Sequence, residues 1–334
     1  MAETAIEWTA TVLPNGTSLP GYTFNPWIGC TKVSPGCDNC YAEAQNGFYK
    51  WNKAGWGPHA SRRRTSAGYW RQPLKWNREA EASGIRRKVF CASLADVFDN
   101  HKSIATEWRL DLFRLILLTP HLDWLLLTKR PQNMARFLPD EWDGGTWGGP
   151  WSNVWLGVTA ENQEEADRRI PILLATPAAV RFVSAEPLLG AINYRRWLSS
   201  DPGGAIYDAG GGQMDYVEPT GPALDWIIAG GESGPGARPM HPDWVRSIRD
   251  QCAAAGVPFF FKQWGEFATV YDRDVDDPDW RRCDVIQRGY KRGRWLNLAG
   301  GHGFHGERVV YLGSVGKKAS GALLDGREHK EMPK

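Results

Sequence analysis

Cys30, Cys37 and Cys40 lie in the segment Asn25-Pro26-Trp27-Ile28-Gly29-Cys30-Thr31-Lys32-Val33-Ser34-Pro35-Gly36-Cys37-Asp38-Asn39-Cys40-Tyr41, with the spacing C-x6-C-x2-C. Half of the chain's six cysteines fall within these eleven residues. Gly29, Pro35 and Gly36 interrupt any regular element there, so packing does not account for the clustering. A turn-rich loop that folds three thiols toward one point offers a ligand set for a soft metal centre. A closed site wants four ligands, and three leave one coordination position for something other than a protein thiolate. Cys91 lies in an apolar run and Cys252 in a helical pattern, so both read as small buried apolar residues, and Cys283 stands alone.

The elements that position this loop show in the hydrophobic pattern. Six short apolar runs recur: Lys88 to Ser93, Asp123 to Thr128, Asn153 to Val158, Val180 to Ser184, Asp225 to Ala229 and Val257 to Phe261. Continuous apolarity over five or six residues suits strands buried on both faces of a parallel sheet. Four of the gaps between runs are about 25 to 36 residues, the length of a βαβ unit. Helices are expected over Ser103–Leu118, Asn162–Leu174 and His241–Ala255. The second opens on an Asn cap, and the third opens on Pro242-Asp243 and stops at Gly256. With a strand leading into the cysteine loop, at least seven β units are present. The fold class is therefore α/β, a (β/α) barrel, complete or partial and TIM-barrel-like, in a single domain over residues 1–334. The alternative is an open doubly wound sheet, but no G-x-G-x-x-G follows the first strand. Three Gly/Trp-rich loop insertions are expected at about 140–152, 199–222 and 269–306, as lids or binding arms.

In such a barrel, chemistry gathers where strands end. Nearly every strand here ends in polar groups: Ser93 and Asp96; Thr128-Lys129-Arg130; Thr159, Glu161 and Asn162; Ser184 and Glu186; Gly230-Gly231-Glu232; and Lys262-Gln263. Each alone reads equally as a cap or turn. Together they supply Lys129, Glu186, Glu232 and Lys262 as titratable groups for catalysis. Gly230 and Gly231 let backbone approach a ligand.

Charge is nearly balanced, 40 Lys+Arg against 38 Asp+Glu, so bulk electrostatics announces neither nucleic acid nor membrane. The N-terminus lacks a signal-peptide pattern and no apolar run reaches spanning length, which predicts a soluble, cytoplasmic protein. Eighteen tryptophans is a high count. Trp142, Trp147 and Trp151 in Gly-rich loops could stack on bases or simply pin the loops. Arg62-Arg63-Arg64 and Arg86-Arg87-Lys88 are two short basic runs. Gly316-Lys317-Lys318 could clamp a phosphate or carboxylate, or be a solvent-facing turn.

Three cysteines after strand one of a β/α barrel, with Gly230-Gly231-Glu232 at a later strand end, resemble radical S-adenosylmethionine (SAM) enzymes. More closely, the chain resembles a phage-associated three-cysteine family of that kind, of uncharacterised function. The resembling segments are Asn25–Ala42, Asp123–Arg130, Gly157–Asn162, Val183–Leu189, Ala229–Gly234, Phe261–Glu266 and Val315–Gly326. The resemblance implies a [4Fe–4S] cluster on Cys30, Cys37 and Cys40 with SAM on the fourth iron. It also implies one-electron cleavage of SAM, and a 5′-deoxyadenosyl radical that takes a hydrogen from the substrate. The common spacing of that superfamily is C-x3-C-x2-C with an aromatic before the last Cys; here Asn39 holds that place and Tyr41 follows. The adenine contact falls to Tyr41, and Ser93 and Asp96 occupy the second-strand place. Further cofactor contacts are expected from Thr128, Thr159, Glu161, Asn162, Ser184, Gly230 and Gly231. The expected partners are a flavodoxin or ferredoxin as reductant and a nucleoside or nucleic acid as substrate, in a bacterial or phage-infected cell. Two other readings stand beside this one. Cys30, Cys37 and Cys40 with His59 or Cys91 could close a zinc site in a nucleic-acid-binding module. Glu186 and Glu232 could run glycoside hydrolysis, although Ala185 stands where an Asn is expected.

Overall fold

The computed structural model describes residues 3–140, 142, 151–198, 222–272, 293–302 and 308–333, and the backbone of 205–206 and 215–216. Seven strands form one parallel sheet: β1 (Tyr22–Phe24), β2 (Arg87–Cys91), β3 (Leu122–Thr128), β4 (Val154–Thr159), β5 (Val180–Ala185), β6 (Trp226–Gly230) and β7 (Phe259–Gln263). Their order in the sheet is their order in the chain. The sheet curls into a half-barrel, and β1 and β7 stay at its two edges. All residues of β4 and of β6 are buried, as strands covered on both faces must be.

Among the described residues, five helices of nine or more residues connect or flank the strands: α1 (Tyr41–Tyr49), α2 (Gln72–Ser83), α3 (Thr106–Leu117), α4 (Gln163–Ala175) and α5 (Pro242–Ala255). The Asn162 side chain caps α4 by accepting the Glu165 N–H at 2.9 Å. His241 caps α5 by accepting the Asp243 N–H at 3.1 Å, and Gly256 ends it at φ +68°. Helix α3 starts three residues later than the periodicity predicts. The Ser103 hydroxyl instead accepts the Arg62 backbone N–H at 2.7 Å.

The side chains of the sheet divide by alternation. Val89, Trp124, Leu156, Val183 and Ile227 join Leu112, Ile116, Ile170 and Ile248 of the helices in the larger core. Phe90, Leu125, Trp155, Phe182, Trp226, Ile228 and Phe260 line the other face, inside the curl, and gather around Trp8. Trp226 is the hub, with ring centroids of Trp155, Phe182 and Phe260 at 6.0–6.1 Å. This aromatic layer floors the half-barrel. Gly157 is what lets it close: a Cβ there would fall 2.4 Å from the Phe182 ring. Phe182 is itself fully buried and cannot swing away. Gly157→Ala is expected to destabilise the fold by about 1–3 kcal/mol; a denaturant midpoint at or above the parent's would contradict this.

Two features go beyond the sequence reading. The C-terminal tail adds to the β7 edge, where Phe261 N–H donates to His329 O at 2.8 Å and Glu331 N–H to Phe259 O at 3.2 Å, which covers an otherwise open edge. The segment expected as a third insertion contributes strands. β8 (Phe267–Asp272), β9 (Arg294–Asn297) and β10 (Val309–Ser314) form an antiparallel sheet with β10 in the middle. Most of the three expected insertions, with Trp147 and Cys283, lies outside the described residues. Among the described residues no helix is long and apolar enough to cross a membrane.

Candidate functional site

The cysteine loop leaves β1 at its C-terminal end and is built from short turns. The Asn25 side chain ties it to the end of β2, accepting the Leu94 N–H at 2.7 Å and donating to the Ser93 hydroxyl at 3.1 Å. Gly29, at φ +120°, has the Arg62 side chain 2.9 Å from where a Cβ would sit. Pro35–Cys37 forms one 3-10 turn, and Cys40 precedes α1 at its N-cap.

Charged groups from three other strand ends hold this loop. After β3, Arg130 donates to the Thr31 carbonyl at 2.7 Å and sets Nη1 3.5 Å from the Cys30 sulfur. After β4, Glu161 accepts the Gly36 N–H at 2.8 Å. Gly36 must be glycine for this, because a Cβ would meet the carboxylate at 2.9 Å. After β6, Glu232 accepts from Asn39 Nδ2 at 2.9 Å and pairs with Arg238, which itself reaches Pro35 O at 2.8 Å. The Arg62 guanidinium, paired with Asp99 at 2.8 Å, donates to the Thr31 hydroxyl at 2.6 Å.

Cys30, Cys37 and Cys40 are free thiols, each partly buried. Burial pushes the Cys30 thiol up to about 11, aided by Asp96 and Asp99 and opposed by Arg130. Among the described residues no three His, Cys, Asp or Glu side chains are assembled as a metal site. The three loop thiols are free, are of the donor type an iron–sulfur cluster takes, and sit on one loop at the mouth of the half-barrel, but this structure does not assemble them as a metal site. In the zinc reading, Cys91 is fully buried in the helix-side core and His59 is exposed.

The expected polar ring divides into two groups. Asp96, Thr128, Glu161, Asn162 and Glu232 are engaged in holding backbone and loops. Asp96 accepts the Thr128 hydroxyl at 2.7 Å, the Lys129 N–H at 3.2 Å and Arg130 at 3.0 Å. Ser93 bonds Asn25, and its carbonyl accepts the Tyr41 hydroxyl at 2.8 Å, which pins the start of α1. The second group follows the inward alternation of the strands above the aromatic floor: Lys129, Thr159, Ser184, Glu186 and Lys262. Lys262 pairs with Glu186 at 3.0 Å, and Glu186 lies over Gly230, where a Cβ would come within 2.5 Å of its carboxylate. Gly231 packs equally closely on the Trp264 carbonyl. These glycines serve close packing of protein on protein. Lys317 and Lys318 are exposed on a single turn.

Arg169 and Arg238 went unnoticed in the sequence, and Arg130 and Asn39 were noted there without the roles they take here. The only hint was the abundance of acids at strand ends, which require partners when buried. The basic runs are largely consumed in structure. Arg62 and Arg64 pair with Asp99 and Asp111, Arg86 pairs with Asp123, Arg87 with Glu3, and Lys88 is buried. Trp142 is buried, donates to Pro177 O at 2.7 Å and packs on Trp151, so these two pin a loop.

A family model described as "Protein of unknown function (DUF5131)" matches residues 3–333 of the chain. No curated protein and no solved structure matches it.

Proposed function

We propose that this chain, which belongs to the DUF5131 family, is a radical SAM enzyme whose [4Fe–4S] cluster is held by Cys30, Cys37 and Cys40. One observation carries the reading: three free thiols share a loop that buried charges clamp across the C-terminal mouth of a parallel half-barrel. A structural zinc staple is not needed by a fold with so large a core. Hydrolysis by Glu186 and Glu232 would need one carboxyl kept protonated, whereas hydrogen bonds from Arg238 and Asn39 overcome the burial of Glu232 and hold it below the usual carboxylate range.

When bound, the cluster would supply one-electron cleavage of SAM and hydrogen abstraction from a substrate. The chain's own residues bind, orient and exclude water. Arg130, Glu161 and Glu232 fix the loop. Tyr41, anchored at Ser93, stands beside Cys40 for the adenine. Lys129, Thr159, Ser184 and the Glu186–Lys262 pair stand above the aromatic floor, where they can orient SAM and substrate. The half-barrel is an open relative of the TIM-type barrel, and its unclosed side admits a bulky substrate, a nucleoside or nucleic acid. The electron comes from a flavodoxin- or ferredoxin-like protein in the cytoplasm.

The test is anaerobic reconstitution with iron and sulfide, then reduction in the presence of SAM. A brown protein forming 5′-deoxyadenosine is expected, with formation abolished in Cys37→Ala. Product no higher than in that variant, or a colourless protein with one zinc per chain, would overturn the reading.

A further inference from the structure

With every member of the two basic runs but Arg63 engaged elsewhere, and Trp142 and Trp151 pinning a loop, one surface among the described residues combines exposed aromatic rings with cations that lack a carboxylate partner. It is the end of α1 and the turn after it, Phe48-Tyr49-Lys50-Trp51-Asn52-Lys53. Phe48 is 79% exposed and Tyr49 58%. The Tyr49 and Trp51 rings stack at 4.7 Å between centroids with 11° between planes, and Phe48 stands edge-on to Tyr49 at 4.8 Å.

The turn is held rigidly. Asn46 and Asn52 are both buried, and the Asn46 side chain holds both backbone groups of Asn52: Asn52 N–H donates to Asn46 Oδ1 at 2.7 Å and Asn46 Nδ2 donates to Asn52 O at 3.2 Å. Asn52 Nδ2 also donates to Ser61 O at 2.8 Å and to Ile28 O at 3.3 Å, two residues before Cys30. Lys50 adopts the left-handed conformation at φ +55°, unusual for a non-glycine residue, with its N–H on Asn46 O at 2.9 Å. Two exposed rings, Phe48 and Tyr49, with the half-buried Trp51 stacked on Tyr49, are thus presented on a fixed support.

The charge around them has one sign. Lys50 and Lys53 are exposed and have no carboxylate partner among the described residues. Arg63, exposed, donates to the Trp51 carbonyl, which sets a third cation beside the stack. The acid of α1, Glu43, is engaged by Lys32 at 3.5 Å. Unpaired cations beside exposed aromatic faces match a polyanion with unstacked planar groups. A sugar or a second copy of this face would gain nothing from the three cations.

We infer that this platform binds single-stranded nucleic acid, with bases stacked on Phe48, Tyr49 and Trp51 and phosphates on Lys50, Lys53 and Arg63. Naming that strand as the substrate of the adjacent cysteine loop rests on the function proposed above; the binding itself does not.

The test is fluorescence anisotropy of the full chain, without iron loading and in the Cys37→Ala background. The probes are labelled oligo-dT and oligo-U of about 20 nucleotides and a duplex of equal length. Single strands should bind more tightly than the duplex. Phe48→Ala with Tyr49→Ala should weaken binding about tenfold or more. Lys50→Glu with Lys53→Glu should weaken it and flatten its salt dependence. Arg86→Glu, a control cation on a different surface, should change little. These aromatic side chains are exposed, so thermal melting should stay near the parent's. Equal affinity for duplex and single strand would overturn the inference. So would unchanged binding in the aromatic variant, or a dimer in sedimentation that the aromatic variant dissolves. Binding with no 5′-deoxyadenosine formation would leave the platform standing and remove only the enzymatic reading.

Discussion

Arg169→Met is expected to cost about 3–5 kcal/mol of stability, one of the two largest effects in this molecule. Arg169 is 1% exposed and pairs with two carboxylates, Glu161 at 2.9 Å and Glu165 at 2.8 Å. It also donates to the Thr159 carbonyl at 2.7 Å. Glu161 is wholly buried, and burial alone would raise its pKa. Arg169 and the Gly36 N–H outweigh that and hold it below the usual range. Removing the guanidinium leaves the buried Glu161 at the strand end without its paired counter-charge, and leaves Glu165 on α4 with Arg168 alone; the Glu161 penalty dominates. The loss should therefore shrink when Glu161→Gln and Glu165→Gln are added, because the unpaired charge goes with them. Guanidinium unfolding of the three variants measures this. A single-variant loss under about 1 kcal/mol, the range of an exposed pair, would show that the triad is not the anchor of the loop. Arg169→Lys should recover only part, since an ammonium lacks the planar fork that spans two carboxylates.

The strands were legible because they are buried on both faces, so each appears as an unbroken apolar run such as Trp124 to Leu127 or Trp226 to Ala229. The helix caps at Asn162 and His241 were legible because capping is local chemistry. Helix α1 was not: Ala42 and Asn46 are its only buried side chains, so no hydrophobic stripe announces it. The same lack of a stripe leaves its aromatic rings in solvent. The polar ring at the strand ends was visible as residue types, but not its division of labour. That division depends on which side of the sheet each residue faces, and on arginines 6 to 100 positions away in sequence, as with Arg238 on Glu232, Arg169 on Glu161 and Arg130 on Cys30. Long-range charge pairing leaves no periodic trace in a sequence. The basic runs misled for the same reason, since their acids lie far off, Arg64 with Asp111 and Arg86 with Asp123.

Glu232→Gln is expected to release the cysteine loop without unfolding the sheet. Glu232 is where the β6 end and the loop are knotted together. Its carboxylate accepts from the Arg238 backbone N–H at 2.8 Å, from Arg238 Nε at 2.9 Å and Nη2 at 2.7 Å, and from Asn39 Nδ2 at 2.9 Å. Every partner is a donor, so an amide must turn an NH2 toward one of them, and the Arg238 charge keeps only the exposed Asp38, at 3.1 Å, as a counter-ion. Hydrogen bonds to charged groups contribute about 1.5–3 kcal/mol each way; Arg238 is partly solvated, so about 2 kcal/mol of local stability is the reasonable share. Amide hydrogen exchange at Gly36 to Asn39 should then be about tenfold to hundredfold faster in the variant, while the amides of β4 and β6 keep the parent's protection. The parent carries the same weakness toward acid. Its donors hold the Glu232 pKa below the unfolded value, so the clamp contributes fully above about pH 4.3. The contribution is lost as the pH falls through the lowered folded value. Loop exchange, corrected for intrinsic rates, should rise on acidification in the parent more than in Glu232→Gln. Equal protection of the loop in both proteins at neutral pH would mean that the knot does not hold it.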